Sequence, residues 1–200
     1  TGGTTSTDRE ARVLSETELN IAKSGTTVTV NNKFEGNGSL VINGEGQLTV
    51  GSANFFGYTG ATILRGGTLY LSTAEIAKAG IGSSSKLVMA GGHLKTAGET
   101  DGYESYTFPI EVVEGTVSQF SPNRNCSIKS RIIGAGTLQL NIPYLREYIE
   151  FNTTGFTGKL IANGVSSDKN GSLLLLNKGK VNHPTLTIDM KGNARLCAWD

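Results

Sequence analysis

Proline is scarce in this 200-residue chain, with four copies, and cysteine and histidine occur twice each. Each shortage excludes something. Disorder of the Gly/Pro-rich or highly charged kind needs more proline or charge than the 18% charged residues here. Two cysteines, Cys126 and Cys197, cannot build a disulfide framework. The histidines, His93 and His183, lie far apart without a Cys or His partner at ligand spacing, so no metal motif is present. A net charge of +1 is too small to imply an electrostatic nucleic-acid surface, and no nucleic-acid partner is expected. No run approaches the roughly 18 apolar residues of a transmembrane helix. The opening residues, Thr1 to Asp8, lack a basic start and an apolar stretch, so they are no signal peptide. The expectation is a chain whose signal was removed, or a piece of a larger protein.

What is abundant is glycine, with 27 copies, set between short apolar segments. The stretch from Gly44 to Leu71 holds three candidate strands, Gln47–Val50, Ala61–Leu64 and Thr68–Leu71. Its Gly-x-Leu-x-[Leu/Val] unit recurs at Leu48 and Leu69, 21 residues apart, with a looser copy at Leu94 after 25 more. Such spacing is long for a hairpin and fits one turn of a parallel β-helix built from about three short strands. The predicted fold is therefore all-β, a right-handed parallel β-helix of about seven to nine coils. It forms one domain over residues 1–200, with 1–15 a loose lead-in. One short helix is expected over 73–79, capped by Ser72 with Glu75 and stopped by Gly80. Ser15-x-x-Glu18 offers a second capping box, but the β-branched run Thr26 to Thr29 breaks any long helix there. Asn43-Gly44 is the one hairpin signal and leaves an antiparallel sandwich as the alternative. Inward leucines would stack in ladders, with Thr49, Thr62, Thr68 and Thr137 outward. In such a stack Cys126 and Cys197 are about three coils apart, on the order of 14 Å, which predicts free thiols.

The Gly44-to-Leu71 stretch reads Gly-x-Gly-x-Leu-x-Val, a polar-aromatic segment, Gly57-Tyr-Thr-Gly60, a strand, and Gly-Gly-Thr-Leu-x-Leu. This resembles the autotransporter-associated β-strand repeat. Gly134 to Asn163 matches in Gly-Ala-Gly-Thr-Leu-Gln-Leu and in Gly155-Phe-Thr-Gly158, but departs over Asn141 to Asn152 and lacks the closing Gly-Gly-Thr-Leu. Phe108 through Ile142 and on to Gly158 also resembles repeat-containing surface proteins of Bacteroidetes-like bacteria. The resemblance implies a pectin-lyase-like parallel β-helix and a secreted or cell-surface address. It also implies further coils of a parent chain, and glycans or host and cell-surface proteins as partners. Passengers of this kind are adhesins, stalks or, more rarely, polysaccharide lyases and glycoside hydrolases. No strand pattern of the β-barrel translocator type is present.

Cofactor motifs fail on inspection. Gly158-Lys159 is followed by Leu160 and position 153 is not glycine, so it is no P-loop. Neither Gly44-x-Gly46 nor Gly134-x-Gly136 has the third glycine of a dinucleotide fingerprint. Hydrolysis on this scaffold needs two carboxylates about 5 to 10 Å apart. The best local concentration is Glu99, Asp101 and Glu104, which also reads as a solvated turn. For binding, Tyr70, Tyr103 and Tyr106, with Tyr58, Tyr144 and Tyr148, would form an aromatic face if they point outward. Tyr70 alternates with Leu69 and Leu71, which sends it out when the leucines go in. The expected role is a structural or adhesive module, with a glycan-processing enzyme as the alternative.

Overall fold

Alternation within short strands decides which side of each is buried. Over Gln47–Val50 and Thr68–Leu71, Leu48, Val50, Leu69 and Leu71 are buried while Gln47, Thr49, Thr68 and Tyr70 lie outward. The computed structural model of the chain describes residues 10–97, 104–123, 126–143, 147–149, 155–165, 167, 172–177 and 187–199. In it Leu48 is the direct partner of Leu69 in neighbouring parallel strands. Leu69 in turn partners Leu94, so both spacings read from the sequence are turns of a solenoid.

The first turn comprises β1 (Ala11–Val13), β2 (Thr17–Ile21) and β3 (Thr27–Val30). The second comprises β4 (Phe34–Gly36), β5 (Leu40–Gly44) and β6 (Gln47–Val50), and the third β7 (Phe56–Tyr58), β8 (Thr62–Leu64) and β9 (Thr68–Leu71). Helix α1 (Ala74–Ala79) opens the fourth, ahead of β10 (Leu87–Met89) and β11 (His93–Thr96). The fifth holds β12 (Glu104–Tyr106), β13 (Ile110–Val112) and β14 (Val117–Ser121), and the sixth β15 (Cys126–Ile128), β16 (Ile132–Gly134) and β17 (Thr137–Ile142). The chain continues through β18 (Glu147–Ile149), β19 (Lys159–Gly164), β20 (Ser172–Asn177), β21 (Thr187–Gly192) and β22 (Ala194–Trp199). Among the described residues every strand pairing is parallel.

Third strands of successive turns form one eight-stranded sheet, β3-β6-β9-β11-β14-β17-β19-β21, and second strands a six-stranded one, β2-β5-β8-β10-β13-β16. First strands fall into two sheets, β1-β4-β7 and β12-β15-β18-β20-β22, because α1 takes the strand's place in the fourth turn. The solenoid makes about six turns, fewer than the seven to nine expected. Turns vary from 20 residues (Phe120 to Leu140) to 28 (Ala162 to Met190), and among the described residues the strands after β18 add to two sheets, with Phe156 bridging Gly134 on the third face.

Other expectations shift by small amounts. Ala11–Val13, inside the expected lead-in, pairs with Phe34–Gly36. Ser15 to Glu18 starts no helix, since Thr17–Ile21 is a strand. Asn43-Gly44 turns the corner between two different sheets rather than closing a hairpin. The cap of α1 is Thr73, one residue later than predicted; its hydroxyl accepts from Ile76 N at 3.2 Å, and Gly80 N donates to Ile76 O at 3.0 Å. The chain breaks at buried Ser130 between β15 and β16, which belong to different sheets, because the backbone turns a corner there. Cys126 and Cys197 sit three strand steps apart in one sheet, about 14 Å, out of disulfide reach.

Inside the solenoid, side chains of one register position stack into columns. Leu48, Leu69, Leu94, Phe120, Leu140 and Ala162 form one such column, each fully or nearly fully buried. Removing a leucine from it leaves a cavity bounded by the rungs above and below. Aromatic rings gather on both sides of α1. Phe34, Phe55, Phe56 and Tyr58 pack on one side, with centroids 4.7 to 6.3 Å apart. Tyr106, Phe108 and Phe120 pack on the other, at 5.9 to 6.3 Å.

Corners need glycine where backbone stacks on backbone. Gly44 has φ 98°, and a Cβ there would fall on the Ile21 carbonyl one turn below. In Gly57-Tyr-Thr-Gly60 and Gly155-Phe-Thr-Gly158 the aromatic is buried, and the threonine N–H donates to a glycine carbonyl of the preceding turn (Gly36 at 3.0 Å, Gly134 at 2.9 Å). The two copies nevertheless serve different corners. The first leads into β8 of the six-stranded sheet and the second into β19 of the eight-stranded one. The motif encodes a tight corner, not a fixed place in the turn.

Candidate functional site

The eight-stranded sheet turns its buried columns inward, and two register rows run beside them along all eight strands. One runs Thr29, Thr49, Tyr70, Lys95, Ser121, Asn141, Asn163 and Lys191. Beside it run Thr27, Gln47, Thr68, His93, Gln119, Gln139, Ile161 and Asp189. Parallel in-register pairing holds neighbours in each row about 4.8 Å apart, so side chains of one type meet directly.

Through the middle of this face runs a connected set of polar groups. Asn163 Nδ2 donates to Asn141 Oδ1 at 2.9 Å, and Gln139 Nε2 donates to the same oxygen at 2.9 Å. Asn141 Nδ2 donates onward to Ser121 Oγ at 3.0 Å and to Gln119 Oε1 at 3.2 Å. Ser121 Oγ meets His93 Nε2 at 2.7 Å. Burial, and secondarily the Lys95 ammonium, hold His93 below the ordinary imidazole range. Asn141 donates into the serine oxygen, and the neutral ring shares one proton with that hydroxyl. The bonds from Asn163 to His93 cross four successive strands, β19, β17, β14 and β11.

Tyr70 and Lys95 adjoin the His93 end. They are register partners in β9 and β11, and Lys95 Nζ lies 5.6 Å from the Tyr70 ring centroid, within cation–π range. Farther along, Lys159 Nζ and Asp189 Oδ2 pair at 2.8 Å. That partner holds the Asp189 carboxyl below its ordinary range, by hydrogen bonding first and charge second.

Of the residues singled out from the sequence, Tyr70 stands where alternation placed it, half-buried on the outward face. Tyr106 does not. It is 1% exposed, its hydroxyl 2.9 Å from Thr96 Oγ1, because β12 turns it into the core beside Phe108 and Phe120. Tyr58 is buried too, and burial drives its phenol above the ordinary range. Thr62, expected outward, is also internal. Its hydroxyl lies 2.6 Å from Tyr58 Oη and donates to Ser84 Oγ at 2.9 Å, and Ser84 donates to Gly60 O at 2.8 Å. Here the alternation of β8 puts Ile63 outward, the reverse of what the threonine suggests. No common tyrosine face joins Tyr70 to Tyr58 or Tyr106.

Glu99, Asp101 and Tyr103 lie outside the described residues, as do Tyr144 and His183. Glu104 belongs to β12, where its backbone pairs with Cys126, and Tyr148 belongs to β18. Asn141, where the sequence departs from the repeat, still belongs to β17, which runs to Ile142, and this is how it enters the polar row. Gln119, Ser121, Gln139, Asn141 and Asn163 were not singled out from the sequence. Their only signal is the polar–apolar alternation of Val117–Ser121 and Thr137–Ile142, which says outward but not which rung meets which. Among the described residues no three His, Cys, Asp or Glu side chains converge on a point that could hold a metal ion. No helix among them is long and apolar enough to cross a membrane.

Chemically, the face offers neutral hydrogen-bond donors and acceptors at a regular spacing, the Tyr70 ring, the ammonium groups of Lys95 and Lys191, and the Lys159–Asp189 ion pair. No family model, curated protein or solved structure matches the chain.

Proposed function

We propose that the chain is a structural and adhesive solenoid module of a secreted or surface-displayed bacterial protein. In this reading it forms a stalk section whose eight-stranded face holds glycan chains laid across the rungs. The observation that carries the reading is the hydrogen-bonded row from Asn163 through Asn141 and Ser121 to His93. Such a flat, rigid display of amides and hydroxyls suits ligands that are themselves dense in hydroxyls, and Tyr70 adds an apolar ring at its edge. Rigidity matters because groups already held in place lose little freedom on binding. The likeness of Gly44 to Leu71 to the autotransporter-associated repeat supports the surface address.

The test is a panel of plant, bacterial and host glycans, scored for retention of the protein and for new reducing or unsaturated ends. The module reading expects retention without cleavage, weakened when Asn141 and Gln139 are replaced by alanine. Cleavage lost in Glu99→Gln or Asp101→Asn would replace it with the enzyme reading. Retention by no glycan would overturn the glycan-holding role and leave a stalk.

A further inference from the structure

Charge is distributed unevenly around the solenoid. The chain as a whole is nearly balanced, with 18 Lys and Arg against 17 Asp and Glu. Yet from β3 to β19 the outward positions of the eight-stranded sheet carry no Asp or Glu. The single carboxylate on this face, Asp189 of β21, is already paired with Lys159. Carboxylates elsewhere pair with some of the other cations: Glu111 with Lys86 at 2.5 Å, and Glu16 and Glu18 lie 3.7 and 3.5 Å from Arg65.

Lys95 differs from those cations. Its ammonium is held against the Tyr70 ring, with uncharged polar neighbours around it, Thr68 and Tyr70 from β9 and Gln119 and Ser121 from β14. A ring quadrupole attracts a cation without neutralising it, so the charge remains available to an anion. It stands directly beside Ser121, at the end of the polar row. An ammonium with no Asp or Glu at the outward positions of its own and the adjoining strands, continuous with a line of neutral hydrogen-bonding groups, complements a chain of hydroxyls that bears an acid group.

We propose that Lys95, positioned by Tyr70 and flanked by Ser121 and His93, is the subsite for an anionic group carried on a polysaccharide lying across the rungs. The inference rests on the glycan-holding reading and narrows it to acidic glycans. Carboxylate and sulfate share the chemistry that an ammonium recognises, and matched probes separate them. No side chain here transfers a group or electrons; the subsite binds only.

The experiment uses three immobilised polymers of one backbone: dextran, carboxymethyl-dextran and dextran sulfate. The wild-type chain is expected to bind one or both charged forms more tightly than dextran, with the preferred form identifying carboxylate or sulfate. Lys95→Gln should weaken that binding about tenfold, the scale of one charge-assisted contact. Lys23→Gln removes the same charge at an exposed turn and should change it less than about twofold. Tyr70→Leu, which leaves the charge but removes the ring, should weaken binding in the same direction as Lys95→Gln. Thermal unfolding of each variant establishes that it is folded. Equal losses in Lys95→Gln and Lys23→Gln would overturn the subsite in favour of diffuse attraction. Tightest binding to dextran would overturn the subsite while leaving the glycan-holding reading intact. Binding to none of the three would also overturn it, and the broader panel then judges the wider reading separately.

Discussion

Along the outward face of the eight-stranded sheet, the first three strands and the later ones are built differently. From β3 to β9 the outward residues are mainly threonine, and one side chain–side chain bond is recorded there, from Gln47 to Thr49 at 3.0 Å within a single strand. From β11 to β19 they include four amides, with a serine, a histidine and two lysines, and the bonds of the amides, serine and histidine cross from strand to strand. The inward column hardly changes between the two ends. A hydroxyl on a short side chain reaches its own neighbourhood, whereas an amide carries donor and acceptor at one tip and can link the rungs on both sides. The backbone repeat permits a connected row anywhere; side-chain chemistry decides where one forms.

The largest expected effects establish that the two ends share a core. Leu69→Ala at the threonine end and Leu140→Ala at the amide end should each lose about 2 to 5 kcal/mol in urea unfolding followed by circular dichroism. A clear difference between them would mean that the ends are stabilised separately, as repeat arrays permit. A second, smaller contrast concerns the outward rows. Asn141→Ala severs four hydrogen bonds at a half-buried position and should cost about 1 to 2 kcal/mol. Thr49→Ala, at the equivalent register, should stay within about 0.5 kcal/mol. Equal costs would show that the connected row adds nothing to the solenoid.

The smallest effect is a pH dependence confined to the amide end. The groups facing His93 are Lys95 on its own strand, Thr68 and Tyr70 from β9, and Gln119 and Ser121 from β14. Its pKa is lowered in the folded chain, so the unfolded chain binds the proton more readily. Stability from this group is fully present above the ordinary value of 6.5 and declines as pH falls from there toward the folded-state pKa. Unfolding midpoints for wild type and His93→Gln, compared between neutral and mildly acidic pH, should converge as the pH drops. Parallel curves would exclude His93 as the source.

Much of the architecture was legible because it is local and repeated. Gly-x-Leu at two-dozen-residue intervals states a corner, an inward leucine and an outward neighbour, and Leu48, Leu69, Leu94 and Tyr70 all obey it. Gly80 ends the helix where its backbone freedom predicts, at φ 63°. The failures sit at corners and register. Tyr58, Thr62 and Tyr106 lie in three-residue strands beside corners, where too few residues alternate to establish which side is inner. Ser121 and His93, 28 residues apart, meet only because the turn between them is long enough to set Ser121 one strand on and one step along.

By itself, then, the order of residues determined a parallel stack, its glycine corners and the inward leucine of each rung, since each follows from a few neighbouring residues. The tertiary structure alone decided which outward side chains share a row. That depends on the accumulated length of every loop and on α1 replacing a strand. A shift of one residue in any turn would send each side chain to the opposite face.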